Sequence, residues 1–308
     1  MKYVFIDGKE GTTGLQIYDR LESRSDLSLI LLPEALRKDE KARKECMNDA
    51  DVVFLCLPDA AAREAVKLVE NPNTKIIDAS TAHRVDPAWT YGFPELSRER
   101  REAIVRSKRV ANPGCHASGF IALVYPLIRE GIVSSDYPFV CHSVTGYSGG
   151  GKKMIAEYES EERDIALDSP RQYGLTLSHK HIPEMVQVCN LTRKPVFNPI
   201  VSDFYSGMCG TVPLFTDLMK RKLSAEGLKS FYREYYRDSA FVSVAEESLS
   251  FLPANKLAGT NEMQLYVGGN DDQILLCALF DNLGKGASGA AVQNMNLMLG
   301  LPETAYLK

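Results

Sequence analysis

Several features that define other protein classes are scarce or absent in this sequence. The seven cysteines among 308 residues are never spaced as Cys-x-x-Cys, which argues against a zinc ribbon and against a disulfide framework. Positive charge is not in excess, since the net charge is −4, whereas a nucleic-acid-binding domain needs a basic surface. The longest apolar run, FIALVYPLI, is too short to cross a membrane.

The beginning of the sequence also lacks the pattern of a targeting segment. The residues KYVFIDG have the composition of a β-strand rather than that of a signal peptide. Scattered thiols fit a reducing compartment, so we expect a cytoplasmic protein that binds neither nucleic acid nor membrane. The overall charge does not exclude a small anionic molecule as its ligand. The length predicts two domains.

The first third of the chain alternates short apolar runs with amphipathic segments. We expect strands at YVFI (3–6), LSLILL (27–32), DVVFLCLP (51–58) and KIIDAS (75–80), with a helix from Thr12 and a solvated helix over 37–45. Continuous Val, Ile and Leu strands separated by helices predict an α/β fold with a doubly wound parallel sheet.

The pattern changes after residue 115. A helix near 117–131 contains Pro126, which is expected to kink it. Runs rich in valine, phenylalanine and tyrosine follow, with turn residues between them and one amphipathic helix. This half of the sequence predicts an α+β domain on a largely antiparallel sheet.

Glycines lie between the first expected strand and the first expected helix. Gly8, Gly11 and Gly14 form G-x-x-G-x-x-G, and in a doubly wound sheet this turn places helix N-terminal amides against a dinucleotide pyrophosphate. Thr12 and Thr13 add hydroxyl donors for a phosphate. A tight strand–helix turn without a ligand remains the alternative, because the spacing departs from G-x-G-x-x-G.

The end of the second strand carries charges of both signs. Glu34 suits a ribose diol, whereas Arg37 and Lys38 suit a 2′-phosphate. Residue chemistry therefore leaves the choice between NAD and NADP open.

A cysteine stands at the expected start of a helix. In ANPGCHASG, residues 111–119, Cys115 follows Asn-Pro-Gly directly. Most cysteines are small core residues, and that is the first alternative. A thiol at a helix start can instead be a nucleophile, since the helix dipole favours its thiolate.

The segment GYSGGGKK, residues 146–153, resembles a nucleotide-hydrolase phosphate loop. Lys153 occupies the position at which such a loop needs Ser or Thr to bind Mg²⁺, so we exclude ATP hydrolysis. Glycine amides with Ser148 and Lys152 fit an anion cradle, and a flexible surface loop is the alternative.

Two of the five histidines lie in SHKHIPE, residues 178–184. His179 and His181 are the candidates for general acid–base catalysis. A metal site would need further ligands at the usual spacings, and none is evident, so we predict no metal. His116 and His142 are interpreted as structural.

Several segments together resemble the N-acetyl-γ-glutamyl-phosphate reductase family of arginine biosynthesis, in its shorter, type 2 form. The similar segments are GTTGLQI, IIDASTAHR, YGFPEL, ANPGCHASG, GYSGGGK, HKHIPE, AGTNEMQLYV and DNLGKGASGAAVQNMNL. They occur in the family's order through nearly the whole chain.

The resemblance implies a Rossmann domain over 1–115, completed by a C-terminal helix over 285–308. It implies a catalytic and oligomerisation domain over 116–284, of the type of aspartate-semialdehyde and glyceraldehyde-3-phosphate dehydrogenases. The expected cofactor is NADP(H), the substrate an acyl phosphate, and the assembly a homodimer or homotetramer. An aspartate-semialdehyde dehydrogenase-like enzyme and an inactive NADP-binding sensor are the alternatives.

The resemblance also assigns roles to individual residues. Cys115 is the expected nucleophile, and His181, two residues before the Pro-Glu pair, is favoured over His179 as the acid–base group. The expected cofactor contacts are Gly8, Gly11, Thr12, Thr13, Gly14, Arg37, Ser80, Gln293 and Asn294. The expected substrate contacts are Asn112, Ser148, Gly149, Lys152 and Glu184.

Overall fold

The computed structural model describes residues 1–9, 11–247 and 250–307. The chain forms two compact units, the first made of Met1–Pro113 with Ala287–Lys308 and the second of Gly114–Gly286. Across the residues that are described, no helix combines the length and the apolar character that a membrane crossing requires.

The first unit alternates strands and helices. Its elements up to residue 111 are β1 (Lys2–Asp7), α1 (Thr12–Leu21), β2 (Leu27–Ile30), α2 (Glu40–Asp49), β3 (Val52–Leu55), α3 (Asp59–Leu68), β4 (Lys75–Asp78), β5 (Thr90–Tyr91), α4 (Arg98–Arg106) and β6 (Arg109–Ala111).

These strands form one parallel sheet in the order β2-β1-β3-β4-β6-β5. All four residues of β3 are buried, as expected for a central strand covered by helices on both faces. The parallel α/β architecture predicted from the continuous apolar runs is confirmed.

The second unit begins at the helix that carries Cys115. Its elements are α5 (Cys115–Arg129), β7 (Val140–Gly146), α6 (Gly151–Tyr158), β8 (Arg171–Gln172), α7 (Ile182–Val188), β9 (Val196–Ser202), β10 (Met208–Phe215), α8 (Ala225–Tyr235), β11 (Val242–Val244), β12 (Met263–Gly269) and β13 (Gln273–Phe280).

The second sheet has the strand order β11-β12-β13-β10-β7-β9-β8. Antiparallel pairs predominate, but β7 pairs with β9 and β11 with β12 in parallel. Along β10 the residues alternate between buried and partly exposed, because one face of the sheet packs against α5.

The chain then returns to the first unit through a π-helical turn, Gly284–Ser288, and α9 (Gly289–Leu299). α9 contacts α4 and β4, and ten of its eleven residues are buried. Gly300 ends the helix in the left-handed conformation, with φ 72°.

Two helices differ in position from the sequence prediction. The solvated helix expected over 37–45 begins only at Glu40, because the Asp39 carboxylate caps the backbone amide of Ala42 at 2.8 Å. The three residues Glu34–Leu36 form a separate 3₁₀ turn. The helix expected near 117–131 begins two residues earlier, at Cys115.

Helix α5 continues through Pro126 to Arg129. Proline lacks the amide that would bond to the carbonyl four residues earlier, that of Ala122. The hydroxyl of Tyr236 donates to this carbonyl at 2.7 Å, and the hydroxyl of Tyr232 donates to Leu123. Two tyrosines from outside the helix therefore satisfy backbone oxygens around the proline.

Candidate active site and cofactor site

Cys115 is the first residue of α5, and Gly114 before it has an extended backbone. The thiol-bearing residue is partly exposed, whereas Cys141 and Cys189 are buried. Burial raises the pKa of Cys141 to about 12 and raises the pKa of Cys189, so both remain protonated. Position at a helix N-terminus with partial exposure is the setting in which a thiol becomes reactive.

Glu184, a predicted substrate contact, reaches the same helix end. Its Oε2 accepts a hydrogen bond of 3.1 Å from the backbone amide of Gly114, and the side chain is 1% exposed. The carboxylate thus links α7, which follows the two histidines, to the turn before Cys115. Its contact is with the polypeptide itself, which indicates that it fixes this turn.

Three histidine rings form a cluster in the second unit. The ring centroids of His179 and His181 lie 4.7 Å apart, and that of His116 lies 5.6 Å from His179 and 5.7 Å from His181. Nδ1 of His179 accepts a 3.2 Å hydrogen bond from the backbone amide of His181, so this nitrogen carries no proton. The two predicted acid–base candidates are therefore neighbours, with His116 beside them.

His116 is held as a neutral imidazole. Burial, with a smaller contribution from the charge of His179, lowers the pKa of His116 to about 3. Its Nδ1 lies 2.8 Å from Ser143 Oγ and its Nε2 lies 2.6 Å from the Tyr173 hydroxyl. These contacts fit the interpretation of His116 as a structural residue. The sequence analysis did not predict that its ring lies next to the two acid–base candidates.

Tyr173 is a site residue that the sequence analysis missed. Its hydroxyl lies 2.6 Å from Nε2 of His116, the residue that follows Cys115. Burial is the main cause that raises the pKa of this hydroxyl, and the negative charge of Cys115 is the second. Tyr173 follows the two-residue strand β8. No periodic pattern marks so short a strand, and the sequence therefore gave no signal for this residue.

The glycine segment 146–153 forms a 3₁₀ turn, Tyr147–Gly150, and then the start of α6. Ser148 is buried, and its hydroxyl accepts a 3.0 Å hydrogen bond from Asn282, while its amide donates to the carbonyl of Tyr205. Gly149 and Lys152 are exposed. Gly149 and Lys152, two of the three predicted anion contacts, thus face solvent, whereas Ser148 is hydrogen-bonded inside the unit.

A cavity of about 880 Å³ lies in the first unit at the ends of β1, β2 and β3. Gly8 and Gly11 line it. Gly8 has φ 86°, and a side chain there would overlap the carbonyl oxygen of Cys56. The first turn of α1 carries no acidic residue, so helix amides and a close backbone approach are available to a phosphate.

Charged side chains from the end of β2 and from α2 also line this cavity. Glu34 pairs with Arg37 at 3.2 Å, and the buried carboxylate of Asp7 pairs with Arg43 at 2.7 Å. Lys38 also lines the cavity, and within residues 1–9, 11–247 and 250–307 it has no ion pair. The two carboxylates are thus balanced by arginines, and Lys38 remains as a positive charge.

Other predicted cofactor residues lie outside the cavity lining. Thr12 and Thr13 are partly exposed in the first turn of α1, and Gly14 is buried against the carbonyl of Gly8. The hydroxyl of Ser80 donates to Asp78 at 2.8 Å, and Asp78 also contacts Nδ1 of His83 at 2.6 Å. Ser80 is therefore part of a buried network at the end of β4.

Gln293 and Asn294 are completely buried on α9. Gln293 donates to Glu95 and Glu303, both at 2.8 Å. Asn294 donates to the carbonyl of Gly92 at 2.8 Å and to Asn112 at 3.2 Å. The structure thus brings two predicted residues, Asn112 and Asn294, into direct contact.

Metal-ligating side chains do not cluster in the part of the chain that the structure describes, where no group of three or more His, Cys, Asp or Glu could hold an ion.

Comparison with known protein families matches both parts of the chain. The family described as semialdehyde dehydrogenase, NAD binding domain, matches residues 33–104. The family described as semialdehyde dehydrogenase, dimerisation domain, matches residues 115–282. Solved structures agree in fold: aspartate semialdehyde dehydrogenase II from Vibrio cholerae has a TM-score of 0.71 at 14% identity, over 97% of this chain and 98% of that one.

Curated relatives are much more similar in sequence. N-acetyl-γ-glutamyl-phosphate reductase 2 of Pseudomonas putida is 48% identical over 96% of each chain. The N-acetyl-γ-glutamyl-phosphate reductase of Burkholderia lata is 46% identical over 98% of each chain. The resemblance found in the motifs is confirmed: this chain belongs to the N-acetyl-γ-glutamyl-phosphate reductase family, on a semialdehyde dehydrogenase fold.

Proposed function

We propose that the protein catalyses the NADPH-dependent reductive dephosphorylation of N-acetylglutamyl 5-phosphate to N-acetylglutamate 5-semialdehyde, in arginine biosynthesis. The observation that carries the proposal is the position of Cys115 at the start of α5, in the same unit as the His179–His181 pair and Tyr173. A nucleophilic thiol beside a proton donor is what acyl transfer to and from sulfur requires.

In this reaction the Cys115 thiolate attacks the acyl carbon, the carbon–oxygen bond to phosphate breaks, and a thioester forms on the enzyme. A reduced nicotinamide, when bound, would supply the hydride that the thioester carbon requires to become the alkoxide of a thiohemiacetal. An imidazole of the pair donates a proton to the developing alkoxide. The same imidazole takes that proton back as the carbonyl forms and the thiolate leaves.

The residues of the first unit fit a dinucleotide. Gly8 and Gly11 let the backbone approach a pyrophosphate, and the N-terminus of α1 offers amides to it. The cavity of about 880 Å³ between these residues and Lys38 has room for the adenosine end. Arg37 and Lys38 would hold a 2′-phosphate. The pairing of Arg37 with Glu34 reduces the repulsion between that carboxylate and the phosphate.

The test is a reverse-direction assay with N-acetylglutamate 5-semialdehyde, phosphate and NADP⁺, run beside aspartate semialdehyde. We expect turnover with the acetylated aldehyde, and loss of that turnover in Cys115→Ser with the fold unchanged. Cys46→Ser is the control, since Cys46 is a partly exposed thiol on α2. Preference for aspartate semialdehyde, or a Cys115→Ser variant with more than a few per cent of wild-type turnover, would contradict the proposal.

The choice of NADPH over NADH has its own test. Glu34→Ser should raise the preference for NADPH, since it removes the carboxylate that competes for Arg37. Lys38→Ala should lower it, because a cation near the 2′-phosphate is lost. Equal kcat/KM for the two cofactors in the wild type would show that Glu34 affects the choice of cofactor more strongly than Arg37 and Lys38 do.

We also propose a homo-oligomer formed through the outer face of the second sheet. The inner face packs on α5, while Phe215 and Leu275 are 50% and 44% exposed on the outer face. They are diagonal neighbours, since Pro213 is the partner of Leu275 in the register of β10 and β13. Adjacent exposed apolar side chains on one sheet face favour contact with a second copy.

A further inference from the structure

Arg171 is a partly buried arginine on β8 that the chemistry above does not use. Its Nη2 donates to the hydroxyl of Tyr158 at 3.0 Å, and its guanidinium lies 5.2 Å from the centre of the Tyr158 ring. Its Nε is buried and has no hydrogen-bond partner. In the described part of the chain no carboxylate forms an ion pair with it. A buried donor left without a partner destabilises the protein unless a ligand satisfies it.

Two aspartates of this region are already bound to another arginine. Arg163 pairs with Asp168 and with Asp203, the latter at 2.7 Å, and it also donates to the carbonyl of Tyr158. Arg163 and Arg171 thus contact the same tyrosine, but only Arg163 has acidic partners. The positive charge of Arg171 is available to an anion that is not part of these side chains.

The edge of Arg171 that holds the buried Nε is one with which this protein binds carboxylates elsewhere. Arg24, Arg43 and Arg233 each use Nε together with Nη2 to grip one carboxylate. Two parallel N–H donors match the geometry of two carboxylate oxygens. A carboxylate is therefore the chemical group that best fits Arg171.

Arg171 and Tyr173 lie close to the same side chain, Tyr158. Arg171 donates to the Tyr158 hydroxyl, and Tyr173 packs against the cluster of Tyr158, Leu167 and Val201. The Tyr173 hydroxyl lies 2.6 Å from Nε2 of His116, the residue that follows Cys115. Alternate residues in a strand are about 7 Å apart, and four carbon–carbon bonds, as between the reacting carbon and the α-carboxylate of the substrate, span roughly 5 Å.

We infer that Arg171 binds the α-carboxylate of the substrate and thereby selects an amino-acid-derived acyl phosphate. The inference rests on the proposed function and deepens it. A substrate that reaches Cys115 with its reacting carbon would place its carboxylate on the Nε–Nη2 edge, while Tyr158 keeps the guanidinium oriented.

The experiment compares two aldehydes in the reverse reaction with phosphate and NADP⁺. N-acetylglutamate 5-semialdehyde carries the α-carboxylate, and 4-acetamidobutanal is the same molecule with hydrogen in its place. We expect Arg171→Gln to raise KM for the first by about tenfold to a hundredfold, as loss of a charged hydrogen bond does, and to leave kcat/KM for the second nearly unchanged. Arg171→Lys should give an intermediate effect, because lysine keeps the positive charge but lacks the two parallel N–H donors of the Nε–Nη2 edge.

Arg233→Gln is the matched control, since Arg233 grips Glu246 with the same edge on α8; it should not change the ratio of the two kcat/KM values. Melting temperatures check that each variant folds. If Arg171→Gln and Arg171→Lys lower the turnover of both aldehydes equally, or lower the turnover of neither, Arg171 does not bind the α-carboxylate. A wild-type enzyme inactive on N-acetylglutamate 5-semialdehyde would contradict the proposed function instead.

Discussion

At the scale of single residues, His116 shows how burial sets the protonation state of a residue that lies next to the acid–base candidates. Its ring lies within 6 Å of both His179 and His181 and is bonded to Ser143 and Tyr173. A second positive charge beside an imidazolium would be unfavourable, and the depressed pKa of about 3 keeps His116 neutral. A proton that enters the cluster therefore goes to one of the other two rings.

The depressed pKa of His116 predicts a dependence of stability on pH. In the unfolded chain this histidine titrates near 6.5, and in the folded chain near 3. Its contribution to the free energy of unfolding is complete above pH 6.5. That contribution is lost as the pH falls from 6.5 toward 3, by about 1.4 kcal/mol per pH unit at most. His116→Phe should therefore show a smaller fall in melting temperature between pH 7 and pH 5 than the wild type; an equal fall would contradict this.

His181 is the histidine that we expect to transfer the proton. The family motif places it two residues before the Pro-Glu pair, and general acid catalysis needs one imidazole within reach of the reacting oxygen. His181→Asn should lower kcat by about 10²- to 10⁴-fold and flatten one limb of the pH–rate profile, with cofactor affinity unchanged. His179→Asn, the matched control, should act mainly on KM; the reverse pattern would exchange the roles.

The candidate site residues that the sequence indicates are those that lie in long motifs with a chemical reason for their spacing. Cys115, His179 and His181 follow from the NPGC turn and the SHKHIPE segment, and the structure places the two histidines in contact. Tyr173 and Arg171 could not be predicted in this way, because the strand that contains Arg171 and precedes Tyr173 has only two residues. The pairing of Glu34 with Arg37 also depends on a 3₁₀ turn that the sequence did not indicate.

At the scale of elements, α5 shows how a helix tolerates proline when other side chains replace the missing donor. Tyr236→Phe should leave the Ala122 carbonyl without its hydroxyl donor and lower the free energy of unfolding by about 1–3 kcal/mol. Tyr125→Phe is the control on the same helix, since its hydroxyl only accepts from the exposed Arg129. Equal loss of stability in the two variants, measured by urea denaturation, would argue against this role for Tyr236.

The turn between β1 and α1 distinguishes two glycines of one motif. Gly8 has a positive φ and no space for a side chain, whereas Gly11 has φ −75° and a hypothetical Cβ would lie 3.5 Å from the nearest carbonyl oxygen. Gly8→Ala should therefore lower the melting temperature of the cofactor-free protein and weaken NADPH binding by tenfold or more. Gly11→Ala should leave that melting temperature within about 2 °C. Similar melting temperatures for both variants would show that the backbone at Gly8 relaxes.

At the scale of the whole molecule, the two sheets were predictable to different degrees. The parallel sheet follows from apolar runs such as Val52–Leu55, which is buried throughout, because a strand covered on both faces cannot alternate. The strand order of the second sheet does not follow from local patterns. β13 pairs with β10, whereas β11 pairs in parallel with β12, and such non-local choices depend on the packing of the complete unit.

The outer face of the second sheet gives a prediction about assembly. Phe215→Glu combined with Leu275→Glu places two like charges on this face, where a second copy would have to desolvate them. We expect the mass measured by light scattering to fall to that of one chain, 34.2 kDa. Glutamates at the exposed Ile165 and Leu175, which lie in other segments, are the control. An unchanged oligomer in the first variant would place the interface elsewhere.

Gly286, in the π-helical turn that precedes α9, lies against Cys115, the proposed nucleophile. A Cβ at this position would come within 3.0 Å of both the Cys115 Cβ and the carbonyl oxygen of Asp281. The surroundings of Cys115 thus depend on stretches of the chain that are far apart in sequence, among them residue 286 and Glu184, which bonds the amide of Gly114. In a saturation library screened by complementation of arginine auxotrophy, codon 286 should tolerate few replacements, although no reaction chemistry belongs to it.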